Sequence, residues 1–241
     1  MKILVLGDIR GKCLYINDYL YKTNADIALC TGNMLLHNHT ANNSDFPIFL
    51  QNQERFIKPV YSVTGPNDNY SVVDGLRKKR NPQVHNFTVM ENGAVIEVDN
   101  NTADNIPLSK IRIGGIGGSF APQVYHNEEL KGSHRRHFTQ KEVHALSNSG
   151  EVHIVVLHDL PENIGKTTIE FSNDTYDLLE KTNAMYCFVG HYGWFRHAKL
   201  GGCNLIVMPY AHEGCMVIDT AKDWDAEYIA NIKNVRNISG K

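Results

Sequence analysis

Residues 3–6 of this chain, Ile3-Leu4-Val5-Leu6, form an unbroken apolar run that stops at Gly7-Asp8. A run of strand length with no polar alternation fits a strand buried on both faces, which belongs inside an α/β sheet. The same pattern then recurs. Ile27–Thr31 ends at Gly32-Asn33, Val60–Thr64 at Gly65-Pro66-Asn67-Asp68, Val152–Leu157 at His158-Asp159, and Met185–Val189 at Gly190-His191. Five times a strand delivers a carboxylate, carboxamide or imidazole at its carboxyl end, where open α/β sheets bind ligands. The ordinary reading of Asp8 alone is a helix cap. The recurrence makes Asp8, Asn33, Asn67, Asp68, His158 and His191 a candidate site instead.

Between these blocks, helices are expected over Lys12–Thr23, with Cys13, Ile16 and Leu20 on one face, and over Phe46–Phe56. His37 and His39 stand in a polar stretch that reads as a solvated loop. Val84–Met90 and Ala94–Val98 flank Asn92-Gly93, a turn signal that points to a β-hairpin. Ile111–Gly118 reads as a strand entering a glycine-rich turn, which strand packing explains better than a phosphate loop. The polar stretch Gln123–Phe138 carries Arg135-Arg136, a basic lip with the chemistry to contact phosphate. Thr139 and Glu142 make a capping box that starts a helix, and Asp174–Thr182 reads as another. Strands over Leu205–Met208, Met216–Ile218 and Glu227–Ile232 complete the expected pattern.

No linker, charge block or repeat divides the chain, so residues 1–241 are expected to form a single domain. The net charge of -2 argues against a general nucleic-acid or membrane surface. The five cysteines are scattered with no CxxC pair, as reduced core residues would be. The first apolar run is too short for the core of a signal peptide, and none is long enough to span a membrane. A cytoplasmic protein without a membrane partner is the expectation.

Taken in order, GDIRG, TGNML, TGPND, VVLHD and VGHYG resemble the blocks of the calcineurin-like metallophosphoesterases: Asp-x-His, Gly-Asp, Gly-Asn-His-Asp/Glu, a lone His, and Gly-His-x-His. IRIGGIGGSF and LHDLP most resemble the subgroup of the intron-lariat debranching enzymes and their non-catalytic relatives. The resemblance implies an α/β fold, a four-layer αββα sandwich of two mixed β-sheets, with a dinuclear metal centre at one end. The chain departs from the family pattern at Arg10 and Gly193, where histidines are expected, at Asn33 in place of the bridging Asp, and at Pro66-Asn67-Asp68 in place of Asn-His-Asp.

Carried over position by position, the resemblance implies Asp8, Asn33, Asn67, His158 and His191 as metal ligands. This set suits one divalent transition metal (Mn, Fe or Zn) or none. Arg10 and Asp68 are the catalytic candidates: Arg10 as a charge replacing the second metal, and Asp68 as a substitute acid if its pKa is strongly raised. Arg10 is expected to turn into the pocket and meet Asp8 or a phosphate oxygen, the alternative being a surface ion pair. The resulting functions are a mononuclear phosphoester hydrolase or a non-catalytic pseudo-phosphoesterase. The latter would bind a protein partner or a phosphate-containing ligand such as a phosphoester, nucleotide or RNA end.

Overall fold

Leu4 and Leu6 face one way along the first strand and Ile3 and Val5 the other, and all four are fully buried. The unbroken run therefore lies between two apolar layers. The computed structural model describes residues 1–37, 44–78, 84–100, 109–161 and 171–231; His39 and Ile232 lie outside them. In chain order the elements are β1 (Lys2–Leu6), α1 (Leu14–Thr23), β2 (Ile27–Cys30), α2 (Phe46–Leu50), β3 (Val60–Ser62), α3 (Tyr70–Arg77), β4 (Phe87–Val89) and β5 (Ala94–Asp99). They continue with β6 (Lys110–Ile116), α4 (Pro122–Tyr125), α5 (Gln140–Ser147), β7 (Ile154–Leu157), α6 (Asn173–Thr182), β8 (Tyr186–Val189), β9 (Arg196–Leu200), β10 (Cys203–Val207), β11 (Gly214–Asp219) and β12 (Asp225–Ala230).

The strands form two six-stranded sheets, ordered β12-β11-β1-β2-β3-β4 and β5-β6-β7-β8-β10-β9. In the first, β1 to β4 run parallel, and β11 runs antiparallel to both of its neighbours, β1 and β12. In the second, β6, β7, β8 and β10 run parallel, with antiparallel β5 and β9 at the edges. Ile3, Val5, Leu29, Ile113, Val156 and Phe188 fill the space between the sheets. Ile16 and Leu20 of α1 and Phe46 and Phe49 of α2 cover Leu4, Leu6 and Cys30. Val143, Leu146, Leu178 and Leu179 of α5 and α6 cover Val155, Leu157 and Val189. This is the expected αββα sandwich. Each fully buried aliphatic side chain contributes roughly 1.5–3 kcal/mol, so strands buried on both faces are the most firmly held part of the molecule.

The expected hairpin does not form. Its turn exists, closed by the Ala94 N–H donating to Glu91 O at 3.2 Å. However, β4 pairs with β3 in one sheet and β5 with β6 in the other. The Asn92 side chain accepts from Gly117 N at 2.8 Å and donates to Gly117 O at 3.2 Å, while Gly93 N–H donates to Gly115 O at 2.9 Å. The turn is thus anchored on the end of β6 and hands the chain from one sheet to the other.

The helix expected over Phe46–Phe56 stops at Leu50, although Phe49 and Phe56 still stack with centroids 4.3 Å apart. Strand β9 has no counterpart among the elements expected from the sequence. Helix α1 begins at Leu14, and its cap is Asp45 rather than Asp8. The Asp45 carboxylate accepts the N–H groups of Cys13 (2.6 Å) and Leu14 (3.3 Å) from 31 or more residues away. The capping box of Thr139 and Glu142 is present at α5. All five cysteines are buried free thiols. Among the described residues no helix is long and apolar enough to cross a membrane.

Candidate functional site

Because β1, β2 and β3 run parallel, their polar followers leave the first sheet at the same end. The followers of β7 and β8 meet them from the second sheet. Asp8 is 5% exposed and His158 fully buried. One Asp8 oxygen, Oδ2, accepts from the Asn33 amide at 2.8 Å, and the other, Oδ1, accepts the His191 backbone N–H at 3.0 Å. The Asn33 oxygen accepts from both the backbone N–H and the side-chain amide of Asn67, each at 3.2 Å. His158 Nδ1 lies 2.7 Å from Thr31 O, and its Nε2 lies 3.4 Å from Asn33 Nδ2. The rings of His158 and His191 are 5.4 Å apart, edge to face. The structure therefore brings Asp8, Asn33, Asn67, His158 and His191 into one cluster.

The backbone around the cluster is unusual. Arg10, Asn33 and His191 all have positive φ, at 52°, 49° and 65°. Asn tolerates this region, but Arg and His adopt it at a cost, and such outliers gather at functional sites. Gly190 permits the close approach, since a Cβ there would stand 2.8 Å from Asp8 Oδ1.

Asp68 is buried beside the cluster, yet both its oxygens are occupied, by Leu36 N–H at 3.0 Å and Gly65 N–H at 2.7 Å. Burial pushes its carboxyl up to about 6, and those two amides oppose the shift. The geometry is that of a carboxylate clamping the loop after β3 to the loop after β2.

Arg10 takes neither of the expected carboxylate partners. Among the described residues it forms no ion pair with Asp8 or with any other carboxylate. Its guanidinium instead lies over the ring of Tyr210, 4.6 Å from the centroid, and Tyr210 in turn stacks on His212. Tyr210 follows β10 and also fills the space beside Gly193, where a Cβ would sit 2.3 Å from the phenol ring. The family's second histidine position is therefore occupied by an aromatic ring that sequence reasoning missed, because a single Tyr after Pro209 carries no motif. The Arg135-Arg136 lip is also engaged. Arg135 makes a two-toothed pair with Asp74 and stacks over Tyr70, holding the Asp74 carboxyl below its usual range, while Arg136 Nε donates to Ser133 O.

The donor set does not fit a dinuclear metal centre. Among the described residues no three His, Cys, Asp or Glu side chains gather as a metal site. The residue at the bridging position presents an amide nitrogen, which cannot ligate a cation, to Asp8.

Comparison with known proteins places this cluster in context. The sequence profile of the calcineurin-like phosphoesterases matches residues 1–193, a span that contains every residue of the cluster. No curated protein matches the chain. Among solved structures, TT1561 of Thermus thermophilus superposes with a TM-score of 0.61 at 16% identity, over 95% of this chain and 98% of that one. GAP50, the anchor in the inner membrane complex of Plasmodium, gives 0.59 at 12% identity over 99% and 86%. The calcineurin-like phosphoesterase YfkN of Bacillus subtilis gives 0.54 at 11% identity over 98% and 92%. At these identities the likeness is one of fold, and it does not assign the chain to the debranching-enzyme subgroup.

Proposed function

The chain belongs to the calcineurin-like phosphoesterase family, and from that premise we propose that its pocket binds a phosphate-bearing group without the family's two-metal hydrolysis. The observation that carries this reading is Arg10. Its guanidinium is held by stacking on Tyr210, one loop from Asp8, with no carboxylate partner among the described residues. An arginine fork in that state offers paired, permanently charged donors to phosphate oxygens. Asn67 and His191, the exposed members of the cluster, add neutral or titratable donors. Hydrolysis by the family route lacks its parts. Asn33 stands where the family has its bridging carboxylate, and Asp68, the acid candidate, is committed to backbone amides.

A second reading is a mononuclear metal-dependent phosphoesterase using Mn, Fe or Zn. One observation favours it: His158 donates from Nδ1 to Thr31 O, which leaves Nε2 with its lone pair, and the His158 and His191 ring centroids are 5.4 Å apart. A backbone carbonyl on the far ring nitrogen is a partner that metal-binding histidines commonly use.

Calorimetric titration of inorganic phosphate and adenosine 5′-monophosphate into the parent and Arg10→Ala, at fixed ionic strength, separates the readings. Arg10→Ala is expected to weaken binding about tenfold, the equivalent of one charge-assisted hydrogen bond. Equal affinity would remove Arg10 from the site. Turnover of bis(p-nitrophenyl) phosphate that needs added metal and disappears in His158→Gln would establish the second reading instead.

A further inference from the structure

We propose that the Asn33 carboxamide occupies the place of the cation, so that the Asp8–His158 cluster is complete without metal. Two neighbours of fixed character determine the orientation of this amide. The Asn67 backbone N–H can only donate, so the atom facing it at 3.2 Å is the Asn33 oxygen. The Asp8 carboxylate can only accept, so the atom facing it at 2.8 Å is the Asn33 nitrogen.

The imidazole follows the same logic. Thr31 O can only accept, so His158 Nδ1 carries the hydrogen, and Nε2 presents its lone pair to Asn33 Nδ2 at 3.4 Å. One NH2 group thus has two hydrogens directed at the two neighbours that would otherwise converge on a cation. Distances of 2.8 and 3.4 Å are hydrogen-bond lengths, well beyond the ~2.0–2.2 Å at which oxygen and nitrogen hold zinc.

The packing leaves the amide no freedom to withdraw. A Cβ on Gly65 would lie 2.1 Å from Asn33 Oδ1 and one on Gly190 2.8 Å from Asp8 Oδ1, so backbone presses on the cluster from both sides. The other Asp8 oxygen already takes the His191 N–H. The buried carboxylate is therefore satisfied by fixed donors, as an isolated buried charge has to be. This inference concerns the same pocket as the phosphate reading but does not depend on it, since a pocket held by hydrogen bonds can exist whether or not phosphate binds.

The test is metal uptake by the full chain after chelator treatment and dialysis, read by elemental analysis and by titration calorimetry with zinc and manganese. The parent is expected to hold neither ion at this cluster, and EDTA should leave its Tm unchanged. Asn33→Asp replaces the donor nitrogen with an anionic oxygen and is expected to bind about one ion per chain, with a Tm that rises on adding metal. Parent binding that disappears in His158→Gln would overturn the inference, as would a folded Asn33→Asp that takes up no ion. If Asn33→Asp fails to fold, the decision passes to the long-range ¹H–¹⁵N spectrum of the parent. The inference requires His158 protonated at Nδ1 with Nε2 accepting, unchanged by zinc; a zinc-shifted Nε2 resonance overturns it.

Discussion

Gly193 and Tyr210 make the most quantitative test of how the pocket is built. Gly193 has φ +69°, and a Cβ there would stand 2.3 Å from the Tyr210 ring carbon that bears the hydroxyl. Gly193→Ala therefore incurs two costs: about 1–2 kcal/mol for an L-residue in the left-handed region and about 1–3 kcal/mol for overpacking against the ring. Together they should destabilise the chain by about 2–5 kcal/mol. Only the second cost depends on Tyr210. In a Tyr210→Ala background the same substitution should cost about 1–2 kcal/mol, leaving a coupling of about 1–3 kcal/mol. Urea denaturation of the parent, both single variants and the double variant measures this through the midpoints at constant m. A Gly193→Ala variant as stable as the parent, or one equally costly in both backgrounds, would refute the account of Tyr210 as the group filling the second-histidine position.

Three further outcomes follow from particular contacts. Asp45→Ala should cost about 1–2 kcal/mol and speed amide exchange at the start of α1, because its carboxylate caps that helix from a distant loop; unchanged exchange would contradict the capping. Native protein at pH 8 should react negligibly with Ellman's reagent and release five thiols in guanidinium chloride, since all five cysteines are buried and burial pushes Cys203 and Cys215 up to about 12; rapid reaction of any native thiol would contradict this. Burial lowers the pKa of His153, whose Nδ1 accepts the Arg112 N–H at 2.9 Å and whose ring stacks on Trp224. With the folded pKa below the unfolded value near 6.5, its contribution to stability is present above that pH and is lost as pH falls through the folded pKa. An NMR titration midpoint above 6.5 would reverse the sign.

Much of this architecture is legible in the sequence because two-sided burial leaves a local trace. β1, β2, β7 and β8 are apolar throughout their buried residues, and each is followed within two residues by one that the structure places at the cluster: Asp8, Gly32, His158 and Gly190. The capping box at Thr139 is legible for the same reason, since its chemistry is complete within four residues. Asn92-Gly93 shows the limit of local signals. Turn chemistry fixes that the chain reverses, while the partner of each strand is chosen by long-range contacts such as Asn92 with Gly117. β9 leaves no such trace because Arg196, His197 and Lys199 give an edge strand a polar sequence. At the site, the sequence names Asn33 as a departure from the family pattern. Which way its amide faces depends on Asp8, Asn67 and His158, 25, 34 and 125 residues away. Tyr210 and Asp45 carry no local mark of their roles, which arise entirely from packing across the chain.

The most direct test of the account is a crystal of the full chain soaked with zinc and inorganic phosphate, with anomalous differences recorded at the zinc edge. The account predicts phosphate density on the Arg10 guanidinium and no anomalous peak between Asp8 and His158, where the Asn33 amide stands. A zinc peak between Asp8 and His158, single or one of a pair bridged at residue 33, would contradict it.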